Sequence, residues 1–137
     1  MGSDLGTTIA RLRGGVIDDR TENIRYRQDQ FHTLHAALRD QSDAILQAIT
    51  TDSKCSPAEA ETELFAGMDA LQKLYESLNF DKALEQEYIL TKGKDNAERR
   101  SGVGLVGIRP QTHSRFYSVI SPVAAAIAAG NCILLEV

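Results

Sequence analysis

The chain reads as an α/β protein: a helical N-terminal half, a β-hairpin-like pair, and one parallel βαβ unit. Three observations predict this. Apolar residues recur at helical spacing through the first eighty positions. A β-prone Tyr88-Ile89-Leu90 run then precedes a turn-like Lys92-Gly93-Lys94-Asp95-Asn96. Finally Val103 to Val137 reads as strand, polar loop, apolar helix, tight turn and strand, a parallel unit that needs its helical crossover. With 137 residues the chain is long enough for one domain with a real core. We divide that domain, 1–137, into a helical part over 1–80 and a β/βαβ part over 86–137.

Taken in order, Ile9, Leu12, Val16 and Ile17 make a weak apolar stripe interrupted by Gly14 and Gly15, a short helix with a frayed start. Asp18 or Thr21 is placed to cap the next helix. On that helix Ile24, Phe31, Leu34 and Leu38 share one face, with Arg25, Arg27, Asp29 and Gln30 largely off it. His32 and His35 lie on it with no partner at metal-ligand spacing, so they read as surface or boundary residues. Ser42 restarts the pattern as an N-cap ahead of Ile45, Leu46 and Ile49, which breaks at Thr50-Thr51-Asp52-Ser53.

Ser56-Pro57-Ala58-Glu59 is a clear helix start: a capping hydroxyl, proline at the first helical position and the glutamate of a capping box. Leu64, Met68, Leu71, Tyr75 and Leu78 then alternate by four and three. Beyond Asn79, Glu87 to Thr91 reads as a strand, and Glu98 to Ser101 leads into the β-run of Val103, Leu105, Val106 and Ile108. Val119 to Ala129 is nearly unbroken alanine and valine, and Cys132 to Leu135 is the second strand. A sheet of two parallel strands leaves open edges and an uncovered face, which favours self-association.

Charge and composition narrow the function. A net charge of −4 argues against a general nucleic-acid binder, and equally against an anionic membrane surface. The start lacks the apolar core and cleavage site of a secretory signal, and Val119 to Ala129 is too short to span a bilayer. Two distant cysteines, Cys55 and Cys132, read as reduced thiols of a cytoplasmic protein, and no metal-binding spacing is present.

The polar density of the loop stands out. Arg109, Gln111, Thr112, His113, Ser114, Arg115, Tyr117 and Ser118 lie at the C-terminal end of a parallel strand, where α/β units place ligand sites. There His113 can act as general acid or base, Arg109 and Arg115 can stabilise an enolate or carboxylate, and Tyr117 can donate a proton. Gln111, Thr112, Ser114 and Ser118 supply substrate-binding groups. Such a set suits proton transfer, dehydration, isomerisation, aldol-type closure or cyclisation of a small biosynthetic intermediate. The plainer reading is that His113 satisfies loop backbone and the arginines are solvated.

RYRQDQFHTLHAALRDQSDAILQAITTDSKCSPAEAETE, followed in order by SGVGLVGIRP, SPVAAAIAAGN and CILLEV, resembles the N-terminal region of the aldehyde dehydrogenase superfamily, in its class 3-like branch. Ser121-Pro122 and Ala128-Ala129-Gly130-Asn131 are the most specific pieces. The resemblance implies an incomplete Rossmann-like sheet. It also implies descent from NAD(P)-dependent oxidoreductases that use a cysteine nucleophile, a glutamate base and an asparagine at the oxyanion. The family's cysteine and glutamate fall beyond the last residue here, and neither Cys55 nor Cys132 matches that nucleophile. The family loop that reads roughly P-W-N-Y-P is here Gln111-Thr112-His113-Ser114-Arg115, which puts His113 at the asparagine position. Glu136 falls at a strand-end lysine that resembling enzymes use on the cofactor's ribose.

These departures predict no aldehyde oxidation by this chain alone and no bound nicotinamide cofactor. They leave three alternatives: a non-redox enzyme or small-molecule binder working as a homo-oligomer, an assembly or accessory module for a partner enzyme, and an inactive remnant.

Overall fold

A computed structural model describes residues 2–91, 93 and 101–136. Six α-helices and two strands follow one another in these residues: α1 (Gly2–Ile17), α2 (Ile24–Asp40), α3 (Ser42–Ser53), α4 (Pro57–Glu76), α5 (Phe80–Thr91), β1 (Leu105–Ile108), α6 (Arg115–Ala129) and β2 (Cys132–Leu135). A single 3-10 turn, Arg20–Glu22, joins α1 to α2. The two strands pair in parallel with Leu105 opposite Cys132 and Ile108 opposite Leu135, so the βαβ unit forms as its apolar pattern requires. Val103 stays outside β1 and is 85% exposed.

The helix starts show which local signals were decisive. Ser56 Oγ accepts from the Glu59 amide and the Glu59 carboxylate accepts from the Ser56 amide, a complete capping box with Pro57 at the first helical position. For α2 the cap is Asn23, whose Oδ1 accepts from Arg25 N at 2.8 Å, rather than Asp18 or Thr21. Ser42 is the first helical residue of α3, and Gln41 is the N-cap. Because Gln41 also ends α2, no extended residue is left between the helices for a hydroxyl cap. The expected break at Thr50 to Ser53 is helical, and the turn comes at Lys54, in the left-handed region at φ 52°. Thr50 keeps its hydroxyl satisfied inside the helix by donating to Leu46 O.

One expected strand is helix. Glu87 to Thr91, read as the first half of a β-hairpin-like pair, forms the last turns of α5, and the helical part thus continues past residue 80 to Thr91. Asn79 starts that helix, its side-chain oxygen accepting from Lys82 N at 2.9 Å. Phe80, Ala83 and Gln86, three residues apart, are half-buried while Leu84 and Tyr88 are exposed, a helical period in place of a strand's alternation. Of the turn expected at Lys92 to Asn96, only Gly93 is among the described residues; the lead-in over Glu98 to Arg100 also lies outside them.

The core sits where α2, α4 and α6 meet. Phe31, Leu71, Ile120 and Ala124 are buried together there, one or two from each helix. The closest approach is at Gly67 of α4, against which the Phe116 ring of α6 lies; an added Cβ would stand 2.5 Å from the Phe116 ring. Both α1 and α6 pack against the strands, and Gly15 of α1 faces the Cys132 thiol. Ile9, Leu12 and Val16 are half-buried as their stripe predicts, whereas Ile17 is 80% exposed.

Candidate functional site

The loop after β1 folds back on the first turn of α6. Ser114 takes the left-handed conformation at φ 51° as N-cap, with no side-chain capping bond. Ser118 Oγ accepts from Gln111 N at 3.2 Å and donates to Arg115 O at 3.0 Å, so one hydroxyl ties the loop to the helix. The helix begins four residues before the expected Val119, and Arg115, Tyr117 and Ser118 are helical residues.

The sequence-predicted residues share one surface but split among separate partners. Arg109 Nε donates to Glu136 Oε2 at 2.8 Å, a bond that joins the chain just beyond β1 to the chain just beyond β2. That bond and the carboxylate's charge raise the Arg109 pKa above its ordinary value. Arg115 instead faces Asp52 in the last turn of α3, at 3.6 Å. The Tyr117 amide donates to Glu63 of α4 at 3.4 Å, and its side chain is 41% exposed. Thr112, His113 and Ser114 are exposed. Among the described residues the His113 ring makes no hydrogen bond; the backbone-satisfying role belongs to Ser118. The surface is open rather than a cleft, with Ser118 alone of the eight half-buried.

Among the described residues no group of three or more His, Cys, Asp or Glu side chains converges as a metal site, and no helix is long and apolar enough to cross a membrane. Cys55, between α3 and α4, and Cys132, opening β2, are both free thiols.

Sequence reasoning missed a polar node at the opposite end of the strands. Gly130 ends α6 at φ 84°, a left-handed cap that favours glycine. Asn131, 8% exposed, accepts from Gly104 N at 3.1 Å through Oδ1. Thr21 donates to Gly130 O at 2.7 Å. Arg27, expected on the solvent side of α2, is half-buried and donates to Ala128 O at 2.7 Å. The Ala128-Ala129-Gly130-Asn131 run is thus a structural joint where the start of α2, the end of α6 and both strands meet. Its signal was in the sequence as Gly-Asn after an apolar helix, but its partners lie about a hundred residues away.

A cleft between α2 and α4 places His32 and His35 beside Tyr75, with Tyr75 Oη and His32 Nε2 3.0 Å apart. The two histidines are exposed, as their boundary positions predict.

No family model matches the chain. It is 27% identical over 134 residues to aldehyde dehydrogenase family 3 member B1 of Bos taurus, a match that takes in 94% of this chain and 28% of that protein. In fold it is similar to glyceraldehyde-3-phosphate dehydrogenase GapN from Methanocaldococcus jannaschii, solved in complex with NADP. The TM-score is 0.73 at 14% identity, over 97% of this chain and 28% of that one. The chain therefore spans little more than a quarter of the length of either relative. Motif order, helical half and parallel βαβ unit all agree with these matches: the chain is aldehyde-dehydrogenase-like.

Proposed function

We propose that the loop between β1 and α6 handles a small anionic intermediate by non-redox acid/base chemistry, of the cyclisation, dehydration, isomerisation or aldol type. The observation that carries this reading is the Arg109–Glu136 pair beyond the strand ends. At the position where resembling enzymes hold the cofactor's ribose with a lysine, a carboxylate removes that ammonium donor and is unfavourable to a 2′-phosphate. No step of the proposed chemistry is routed through a nicotinamide dinucleotide. Instead, His113 is exposed and unbonded, and Arg115 stands at the N-terminus of α6, where negative charge is favoured and where Glu63 already accepts from the Tyr117 amide. His113 then moves the proton, Arg115 steadies a developing enolate or carboxylate, and Tyr117 lies one helical step away.

Screening anionic metabolites by thermal shift tests this. A stabilising ligand whose effect disappears in His113→Ala and Arg115→Gln is expected, with conversion of that ligand lost in His113→Ala. Saturable micromolar binding of NAD or NADP, or conversion unchanged in His113→Ala, overturns the proposal.

A second reading, assembly, rests on the sheet. It has two strands among the described residues, and Leu135 on β2 is 37% exposed beside an open edge. On this reading two copies pair their sheets, and light scattering returns a dimer or larger assembly. A monomer at high concentration refutes it.

A further inference from the structure

At the opposite end of the sheet from the loop, α1, the 3-10 turn, α2, the end of α6 and the start of β2 line a half-open cavity of about 330 Å3. Three arginines from three elements line it, Arg11, Arg20 and Arg27, and no carboxylate does. In a chain of net charge −4 this is a local reversal of sign. Arg27 is the fixed member. Its Nη1 donates to Ala128 O at 2.7 Å and its Nη2 to Glu22 O at 3.2 Å, both neutral carbonyls. Its Nε is buried and has no partner. Guanidinium carries five N–H donors, so the side chain is held in place with donors to spare.

The nearest acid makes no salt bridge with it: the Glu22 carboxylate accepts from Gly102 N at 3.1 Å and acts on Arg27 only through its charge. Burial lowers the Arg27 pKa, opposed by the charge of Glu22. Arg20 is only loosely engaged, 3.6 Å from Asp18 with both side chains largely exposed. A half-buried cation without a close counter-ion is costly, and a bound anion offsets that cost. The remaining wall is apolar, from Leu12, Ile127 and Ile133.

We propose that this cavity binds a small amphipathic carboxylate, with its head among the three arginines and its apolar body against Leu12, Ile127 and Ile133. Arginine forks match a carboxylate, and the volume is at the lower end of the range for small-molecule sites. The site is separate from the β1–α6 loop, because the strands are parallel and the cavity adjoins their N-terminal ends.

Titrating benzoate, benzamide and inorganic phosphate into the isotope-labelled full chain tests this by amide chemical shifts. Benzoate is expected to saturate at about 1 mM or below, moving Gly15, Cys132 and Ile133. Neutral benzamide, of the same shape, leaves them unmoved, and phosphate binds at least about tenfold more weakly. Arg11→Gln combined with Arg20→Gln, both at exposed positions, weakens benzoate about tenfold while the far-ultraviolet spectrum stays unchanged. Absence of saturable shifts, equal binding of benzamide or phosphate, or an unaffected double variant overturns the proposal. So do benzoate shifts confined to residues 111–118, an outcome that favours the loop site instead.

Discussion

Replacing Asn131 by alanine isolates the joint between α6 and the sheet. Two side-chain bonds disappear. The one from Nδ2 to Ala126 O is 3.5 Å long, and that carbonyl still accepts from Asn131 N at 3.0 Å, so its loss contributes little. The other matters: Gly104 N–H loses its acceptor at 3.1 Å, in a part-buried setting. Leaving such a donor unsatisfied costs about 1–3 kcal/mol, and partial water access places this case near the middle, about 2 kcal/mol. For a chain of this size that lowers Tm by roughly 6 °C, from about 3 °C per kcal/mol. Urea unfolding followed by circular dichroism measures the change, with an unchanged m-value expected because the exposed surface is the same. Hydrogen exchange supplies the local readout: protection of the Gly104 amide should fall more than that of core amides in α4. A loss below about 0.5 kcal/mol, the ordinary range for a surface substitution, with Gly104 protection retained, would refute the assignment of Asn131 as the joint.

Further substitutions probe other levels of the structure. Ser56→Ala removes one half of the capping box and should cost about 1 kcal/mol in urea unfolding, with Ser56→Gly milder. Gly67→Ala gains about 1 kcal/mol of helix propensity but meets Phe116 at 2.5 Å, an overpacking cost of about 1–3 kcal/mol. Net destabilisation is expected, and Phe116→Leu in the same chain should relieve part of it; a more stable single variant shows that the ring moves freely. Lys73 has its pKa raised, first by the hydrogen bond it donates to Asp69 at 2.7 Å and then by that carboxylate's charge. Its small contribution is therefore complete below the ordinary lysine pKa of about 10.4 and lost as pH rises through the higher folded value. Asp69→Asn should flatten that alkaline limb of the stability curve; an identical limb in the variant excludes the pair as its source.

The sequence by itself determined what short-range physics decides. The capping box at Ser56, the apolar stripe of α4 and the β–α–β pattern of Leu105 to Leu135 are each complete within about thirty residues, and each forms as its pattern dictates. The relationship to aldehyde dehydrogenases was legible for the same reason, being carried by the order of such local segments. Where two local signals competed, the sequence misled: Tyr88-Ile89-Leu90 favours a strand, but the Asn79 cap starts a helix that half-buries Phe80, Ala83 and Gln86 and runs on through it.

Tertiary structure decided everything that depends on distant partners. Residues 109–118 were legible as a polar loop, yet Arg109 turns to Glu136 and Arg115 to Asp52, pairings no spacing rule predicts. Arg27 looked like a solvated charge on the outer face of α2. Its bond to Ala128 O, across 101 residues, makes it both a clamp and the fixed wall of an arginine-lined cavity. Periodicity reports which face of an element avoids water, whereas the identity of the neighbour is set only when the chain closes on itself.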